Sequence, residues 1–358
     1  MKKVLFVALS LLMIMALFVT GCGESTGPAD PGGDESAEQV TEPIVWEAAS
    51  GWVPGDIMRD VFDIFIEVLE EKTEGQLIIN VSGPETFPSP DQIKLLADGT
   101  LDLIGTTPAF YLQDLPEGTA IAYTWGTKEE REAAGLFELI DQAHREKYNA
   151  TLITECPAGT MHIFMKDPID SVDDLRGKRL RSPAAYMPAL EALGATSMFM
   201  SDADTIDSLQ QGVIDGAISS TATYDSWNYY EVAPYNVYPS FAFVLSVIFA
   251  NVDSVEALPE HLQVALYEAV EEAAPLFEQF AVDQITHLFD TADEKGVVDI
   301  AFEGAEAQEF YDIFFEKYIE VAVRPNSGDE MADRIIEIHE KLNAPPQGRF
   351  VGPYSPVN

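Results

Sequence analysis

Apolar and polar positions follow two different periods along this chain. In "DIMRDVFDIFIEVLEEKTEG" apolar residues recur at 57/58, 61/62, 65 and 68/69, the spacing of one helix face, and Gly75 closes the pattern. Ile44–Ala49, "QLIINVSG" and "ATLITEC" are short apolar runs that read as strands. Ser89-Pro90-Asp91-Gln92 places a capping serine, a proline at the first helical position and a glutamine three residues after the cap, so a helix is predicted to start there. Thr127-Lys128-Glu129-Glu130 is a second capping box, predicted to open a helix running through Ala143. Strands alternating with helices predict an α/β architecture with largely parallel sheets.

One similarity within the chain organises these elements. "IKLLADGTLDLIGTT" (93–107) and "IDSLQQGVIDGAISS" (206–220) align without a gap. Each reads as a helix end, a glycine suited to the left-handed position beyond it, and an apolar strand ending in paired hydroxyls. Those hydroxyls are Thr106 and Thr107 in one copy, Ser219 and Ser220 in the other. Ligands of open α/β sheets sit beyond the carboxyl ends of strands. Two copies presenting hydroxyls there predict two lobes facing a shared cleft.

The amino-terminal pattern is different. Met1-Lys2-Lys3 is a short basic start, and Val4 to Phe18 is almost wholly apolar. A membrane span needs about 20 such residues, so the stretch reads as an export signal. It ends in Val19-Thr20-Gly21-Cys22, which resembles the bacterial lipoprotein cleavage box. The resemblance implies a leader over 1–21, a lipid on Cys22, and a protein held by that lipid on the outer side of the cytoplasmic membrane. Residues 22–43, rich in Gly, Pro, Ser and acids, read as a tether unable to form a core.

Charge and chemistry narrow the function. Asp and Glu number 61 against 20 Lys and Arg, a net −41. Without Lys2 and Lys3 the count is 18 basic against 61 acidic residues, or −43. Nucleic acid and anionic lipid are excluded as partners by such a surface. Cys156 is the one cysteine beyond Cys22, so no internal disulfide is expected, and it reads as a small buried residue. No nucleophile elbow, zinc-binding helix, phosphate loop or dinucleotide loop occurs, and the five histidines have no metal-ligand spacing. No cofactor, no metal and no catalysis are expected; binding is. About 315 residues beyond the tether suggest two domains.

Against this acidity, "DDLRGKRLRSP" (173–183) gathers Arg176, Lys178, Arg179 and Arg181. Ser171 is placed to cap the turn "SVDDLRG", and "KRLRS" alternates as a strand that Pro183 stops. Arg176 and Lys178 read as solvated charges near the turn. Arg181 stands at the carboxyl end of the strand, where a guanidinium can grip a carboxylate through two parallel hydrogen bonds.

The stretches "PIDSVDDLRGKRLRSP", "ALEALGATSMFM", "LQQGVIDG", "NYYEV" and "ALPEHLQ" together resemble the solute-binding proteins of tripartite ATP-independent periplasmic (TRAP) transporters. "EEKTEGQLIINVSG" and "LADGTLDLI" fit as well, so the likeness covers essentially the chain beyond the tether. It implies a two-lobed periplasmic-binding-protein-like fold: two α/β domains joined by crossing strands and a long connecting helix, closing on a small organic acid. The expected division is lobe I over 44–167 with part of 243–285 returning to it, lobe II over 168–242 with 286–345, and a tail over 346–358. Small and large membrane permease subunits are the implied partners, and Arg181 the implied carboxylate-binding residue.

Departures from the family pattern shape the expected ligand. Met161 follows Gly159-Thr160 where several members have a second arginine, Asp202 stands in a segment that carries an aromatic, and Ser219 replaces a common asparagine. A ligand-associated cation is not indicated. A monocarboxylate with an apolar or aromatic body is therefore expected, with Trp52, Tyr111, Tyr186, Tyr224 and Trp227 in segments bordering the cleft. Asp202 either meets a ligand ammonium or, with Ser201 or Asp204, caps the helix "TIDSLQQG"; the cap is the simpler reading. The alternatives are an amino-acid-binding or sensory protein of another system, and, in a different class, a secreted two-lobed lipoprotein enzyme.

Overall fold

The structure, a computed structural model, describes residues 42–342, 348, 350–351 and 355–356. The leader, Cys22 and nearly all of the tether lie outside the described residues. The chain runs β1 (Ile44–Ser50), α1 (Ile57–Lys72), β2 (Leu77–Ser82), α2 (Gln92–Ala97), β3 (Leu103–Thr106), α3 (Ala120–Tyr123), α4 (Lys128–Ala133) and α5 (Leu136–Tyr148). It continues through β4 (Ala150–Met165), β5 (Arg179–Arg181), α6 (Met187–Ala192), β6 (Thr196–Met198), α7 (Asp202–Gln211), β7 (Gly216–Ser220), α8 (Thr221–Ser226) and β8 (Tyr235–Asn251). Last come α9 (Val252–Ala257), α10 (Glu260–Lys295), β9 (Val298–Ala301), α11 (Gly304–Tyr318) and α12 (Arg324–Glu340).

Nine strands share one curled sheet in the order β2-β1-β3-β8-β4-β7-β5-β6, with β9 beside β8, and the short strands Phe350–Val351 and Ser355–Pro356 pair separately. The outer strands pair in parallel, β1 with β2 and β3 at one end, β5 with β6 and β7 at the other. The middle is antiparallel: β4 and β8 run against each other from Ala150↔Asn251 to Met165↔Tyr235, with register shifts at Leu152/Thr154, Pro157/Gly159 and Met161/Ile163. The sheet is mixed because these two strands belong to both ends.

The internal repeat explains the symmetry. Both copies fold as helix, left-handed glycine and strand: α2, Gly99 (φ 76°) and β3, then α7, Gly212 (φ 68°) and β7. Each copy docks antiparallel on a different crossing strand, β3 on β8 at Thr106↔Val247 and β7 on β4 at Met161↔Ser220.

One apolar cluster spans both ends, from Ala49 and Ile104 to Leu180 and Ile218, and two smaller ones follow the division. α1 buries Val61, Phe62, Phe65 and Leu69 against Leu262, Leu266, Ala269 and Ala273 of α10. At the other end Phe164, Leu209, Ile214, Tyr224 and Tyr229 form a separate core that Ala292 of α10 packs against. A helix of 36 residues is about 54 Å long, enough to serve both.

Local signals held in most places and failed in two. Thr127 caps α4 as expected, accepting from the Glu130 amide at 3.1 Å while Glu130 Oε2 accepts from the Thr127 amide at 2.9 Å. That helix does not run through Ala143 unbroken: Gly135 turns left-handed (φ 91°) and α5 starts afresh. Ser89 is not a cap; its hydroxyl donates to the Gly51 carbonyl at 2.8 Å, and a single 3₁₀ turn precedes α2. Cys156 is fully buried.

Candidate ligand cleft

Strand alternation decides the fate of the basic cluster. In β5, Leu180 is buried in the sheet core, and Arg179 and Arg181 face the other way. Arg176 is exposed and only loosely paired with Asp173 at 3.4 Å. Arg179 clamps Asp215 at 2.7 and 3.0 Å, an exposed strap across two strand ends. Arg181 is buried. Its Nε donates to the Met200 carbonyl at 3.2 Å, Nη1 to the Ile218 carbonyl at 2.8 Å, and Nη2 lies 3.1 Å from Asp202 Oδ1.

Asp202 is therefore not the helix cap. Ser201 is: its hydroxyl accepts from the Asp204 amide at 3.2 Å and donates to the Asp204 carboxylate at 2.6 Å. Asp202 Oδ1 instead takes the Tyr229 hydroxyl at 2.8 Å as well as Arg181. Burial, reinforced by that carboxylate, raises the Tyr229 phenol well above its ordinary range, so it remains an O–H donor.

Beside these strand ends lies a cavity of about 600 Å³. Its walls come from the loop after β3 (Ala109–Asp114), the segment after β5 (Pro183–Tyr186), Met161 on β4, and Lys317 to Ala322 after α11. Tyr111, Tyr186 and Met161 are the expected site residues that line it; Arg181 is not part of the lining, which includes Pro183 two residues further on. Phe110, Tyr123 and Tyr318 complete an aromatic wall that sequence reasoning missed. Tyr123 and Tyr318 stack at 4.5 Å, and the Tyr318 hydroxyl donates to the Pro116 carbonyl at 2.8 Å. Lys94 and Lys317 also line the cavity, but each is already paired, with Asp114 at 3.0 Å and Glu320 at 2.6 Å.

The remaining expected residues are dispersed. Trp52 packs on Phe110 with ring centroids 5.6 Å apart. Tyr224 stacks on Phe164 at 3.8 Å and donates to the Ala233 carbonyl, a core role. Trp227 is exposed on the surface. Thr106 is fully buried, and its Oγ1 has no hydrogen-bond partner among the described residues. Thr107 is half-buried and leads into the turn that carries Phe110 and Tyr111. Ser219 is buried opposite His162 in the β7–β4 register. Ser220 caps α8, accepting from the Thr223 amide at 3.0 Å.

Among the described residues, no group of three or more His, Cys, Asp or Glu is arranged to hold a metal ion. No helix among them is long and apolar enough to cross a membrane.

The family model for bacterial extracellular solute-binding proteins, family 7, matches residues 49–324. The chain belongs to this family. A solute-binding protein from Chromohalobacter salexigens is 24% identical over 274 residues, 72% of this chain and 80% of that one. In structure, a TRAP periplasmic solute-binding protein from Rhodobacter sphaeroides in an apo open form aligns with a TM-score of 0.69 at 21% identity, covering 83% of this chain and 97% of that one. A marine-metagenome TRAP solute-binding protein, solved with co-purified pyroglutamate, aligns with a TM-score of 0.67 at 15% identity, covering 84% of this chain and all of that one (100%). The two-lobed fold and the TRAP resemblance read from the sequence both stand. Members of this family are periplasmic transport proteins that bind small organic ligands and work with membrane permease subunits; they are not enzymes.

Proposed function

We propose that this solute-binding protein captures a monocarboxylate with an apolar or aromatic body and hands it to the small and large subunits of a TRAP permease. The observation that carries this reading is a buried guanidinium, Arg181, at the carboxyl end of β5, two residues before Pro183 of an aromatic-walled cavity. Two of its donors are hydrogen-bonded to protein carbonyls and Nη2 is ion-paired with Asp202, which leaves donors on both Nη for a carboxylate. Tyr111, Tyr186, Phe110 and Tyr318 offer the apolar body its contact surface. A second carboxylate has no comparable partner: Met161 is apolar, and both lysines of the cavity already serve acidic neighbours. The ligands of structural relatives, among them pyroglutamate and orotic acid, are small and anionic, in keeping with this chemistry.

The same reading includes the division into lobes over 44–167 and 168–242 with their returning segments, and a mature protein lipid-anchored at Cys22 on the outer face of the cytoplasmic membrane. Calorimetry on the purified protein tests the ligand class. An aromatic monocarboxylate is expected to bind and succinate to stay silent, because an unpaired carboxylate in a closed pocket costs several kcal/mol. Tight succinate binding with the aromatic acid silent would overturn the ligand assignment.

A further inference from the structure

The Arg181–Asp202 pair leaves a particular set of unused hydrogen-bonding groups. A guanidinium carries five N–H donors, one on Nε and two on each Nη. The Met200 carbonyl takes one from Nε and the Ile218 carbonyl one from Nη1, while Nη2 stands 3.1 Å from Asp202 Oδ1 as an ion pair. At least one donor therefore remains on each Nη, the two nitrogens through which a guanidinium holds a carboxylate. Asp202 is used unevenly: Oδ1 serves Arg181 and Tyr229, and Oδ2 has no hydrogen-bond partner among the described residues. The Asp202 side chain keeps 33% of its surface exposed against 9% for Arg181, so the pair is open on its carboxylate side. The helix does not need this carboxylate, because Ser201 supplies the cap. Donors on both Nη and the acceptor Oδ2 are thus left without a hydrogen bond in one ion pair.

We propose that Asp202 is a specificity-determining residue: the Arg181–Asp202 pair selects carboxylates that carry an N–H donor, ammonium or amide, on the adjacent carbon over the same acids without it. The proposal rests on the reading of Arg181 as the carboxylate's partner. Charge supports it. Arg181 and Asp202 sum to zero, so a simple monoanion brings an uncompensated negative charge to a partly desolvated edge of a chain already at −41. An α-amino acid brings none, and an amide N–H satisfies Oδ2 even where the ligand stays anionic. A site built to receive an N–H rejects the analogue lacking it, because its own acceptor is then left unpaired. Tyr229 is a positioning residue here: its hydroxyl pins Oδ1 and leaves Oδ2 unbonded.

The experiment uses matched acids differing by one donor: L-proline with cyclopentanecarboxylate, and L-phenylalanine with 3-phenylpropanoate, titrated by calorimetry at pH 7. In at least one pair the donor-bearing acid is expected to bind about tenfold tighter or more, the scale of one hydrogen bond to a charged group. Asp202→Asn keeps an oxygen for Arg181 and Tyr229 but turns the unbonded acceptor into a donor, so the preference should vanish or invert. Tyr229→Phe, which leaves both charges in place, should shrink the preference by a smaller factor and covers the case of a poorly folded Asp202→Asn. Wild type without donor preference, or both variants retaining it in full, overturns the assignment of Asp202. Arg181→Lys separates the two readings. Loss of all the acids in that variant, with the preference intact in Asp202→Asn, sinks only the role of Asp202. Undiminished binding by Arg181→Lys, or a wild type blind to the whole panel, sinks the carboxylate reading and this proposal with it.

Discussion

His144 and His162 are two buried imidazoles whose neighbours dictate their protonation. Nδ1 of His144 faces the Ile140 carbonyl at 2.7 Å and Nδ1 of His162 the Val237 carbonyl at 3.2 Å, so both nitrogens carry the proton. Each Nε2 then accepts a hydroxyl, from Tyr111 at 3.0 Å and from Thr160 at 2.9 Å. Burial pushes both rings down to about 4. Since the folded value lies below the unfolded one, the unfolded chain binds more protons between pH 6.5 and 4. Stability from these groups is full above 6.5 and lost as pH falls toward 4, roughly 3 kcal/mol for each. The melting temperature should drop across that window, and His144→Gln should flatten the slope; an unchanged slope would refute the assignment. Arg181 is also structural, since two protein carbonyls and the Asp202 carboxylate hold it. Arg181→Lys should cost about 1–3 kcal/mol and lower the apo melting temperature by several degrees, besides weakening carboxylate binding. Its place was legible in the sequence, because alternation from Leu180 puts it at a strand's carboxyl end. The bond from Asp202 to Tyr229 was not, because the two lie 27 positions apart and only the packing of α7 against the following turn brings them together.

At the level of elements, one glycine shows how closely helix and sheet approach. A Cβ on Gly105 would lie 2.6 Å from Cγ of Phe62, a fully buried ring of α1. Gly105→Ala should therefore push α1 off β3 and cost about 1–3 kcal/mol by overpacking. Denaturant unfolding checks this, and a loss below about 0.5 kcal/mol would mean the ring moves aside freely. In the aligned repeat this position is Ile218, so the two copies share a backbone plan and differ in what packs on it. The plan was readable because helix end, left-handed glycine and apolar strand are local signals, as was the Thr127 box. Ser89 misled because a distant carbonyl, that of Gly51, competes for its hydroxyl. The cavity wall from Tyr318 to Ala322 carries no local signal at all. It depends on a π-helical turn at Ile319–Val323 after α11, and that segment meets Tyr123 only through the tertiary fold.

For the whole molecule the decisive quantity is charge. With a net −41 the chain as a whole repels an anionic membrane surface. Among the described residues no helix is long and apolar enough to cross a bilayer. Membrane retention of the exported protein would thus fall entirely on the lipid proposed at Cys22. A single acyl chain binds only reversibly, and durable anchoring needs a second chain or a basic patch. Because the net charge opposes electrostatic attachment, the proposed anchor is expected to carry more than one chain. Cys22→Ser should then take up no labelled fatty acid and should move from the membrane to the soluble fraction after export. Its ligand affinity should be unchanged, because residues 22–43 have too few apolar side chains to contribute to the folded body. Fractionation with a fatty-acid label and a binding assay reads all three outcomes. A Cys22→Ser protein that stays membrane-bound after export would rule out the lipid as the anchor.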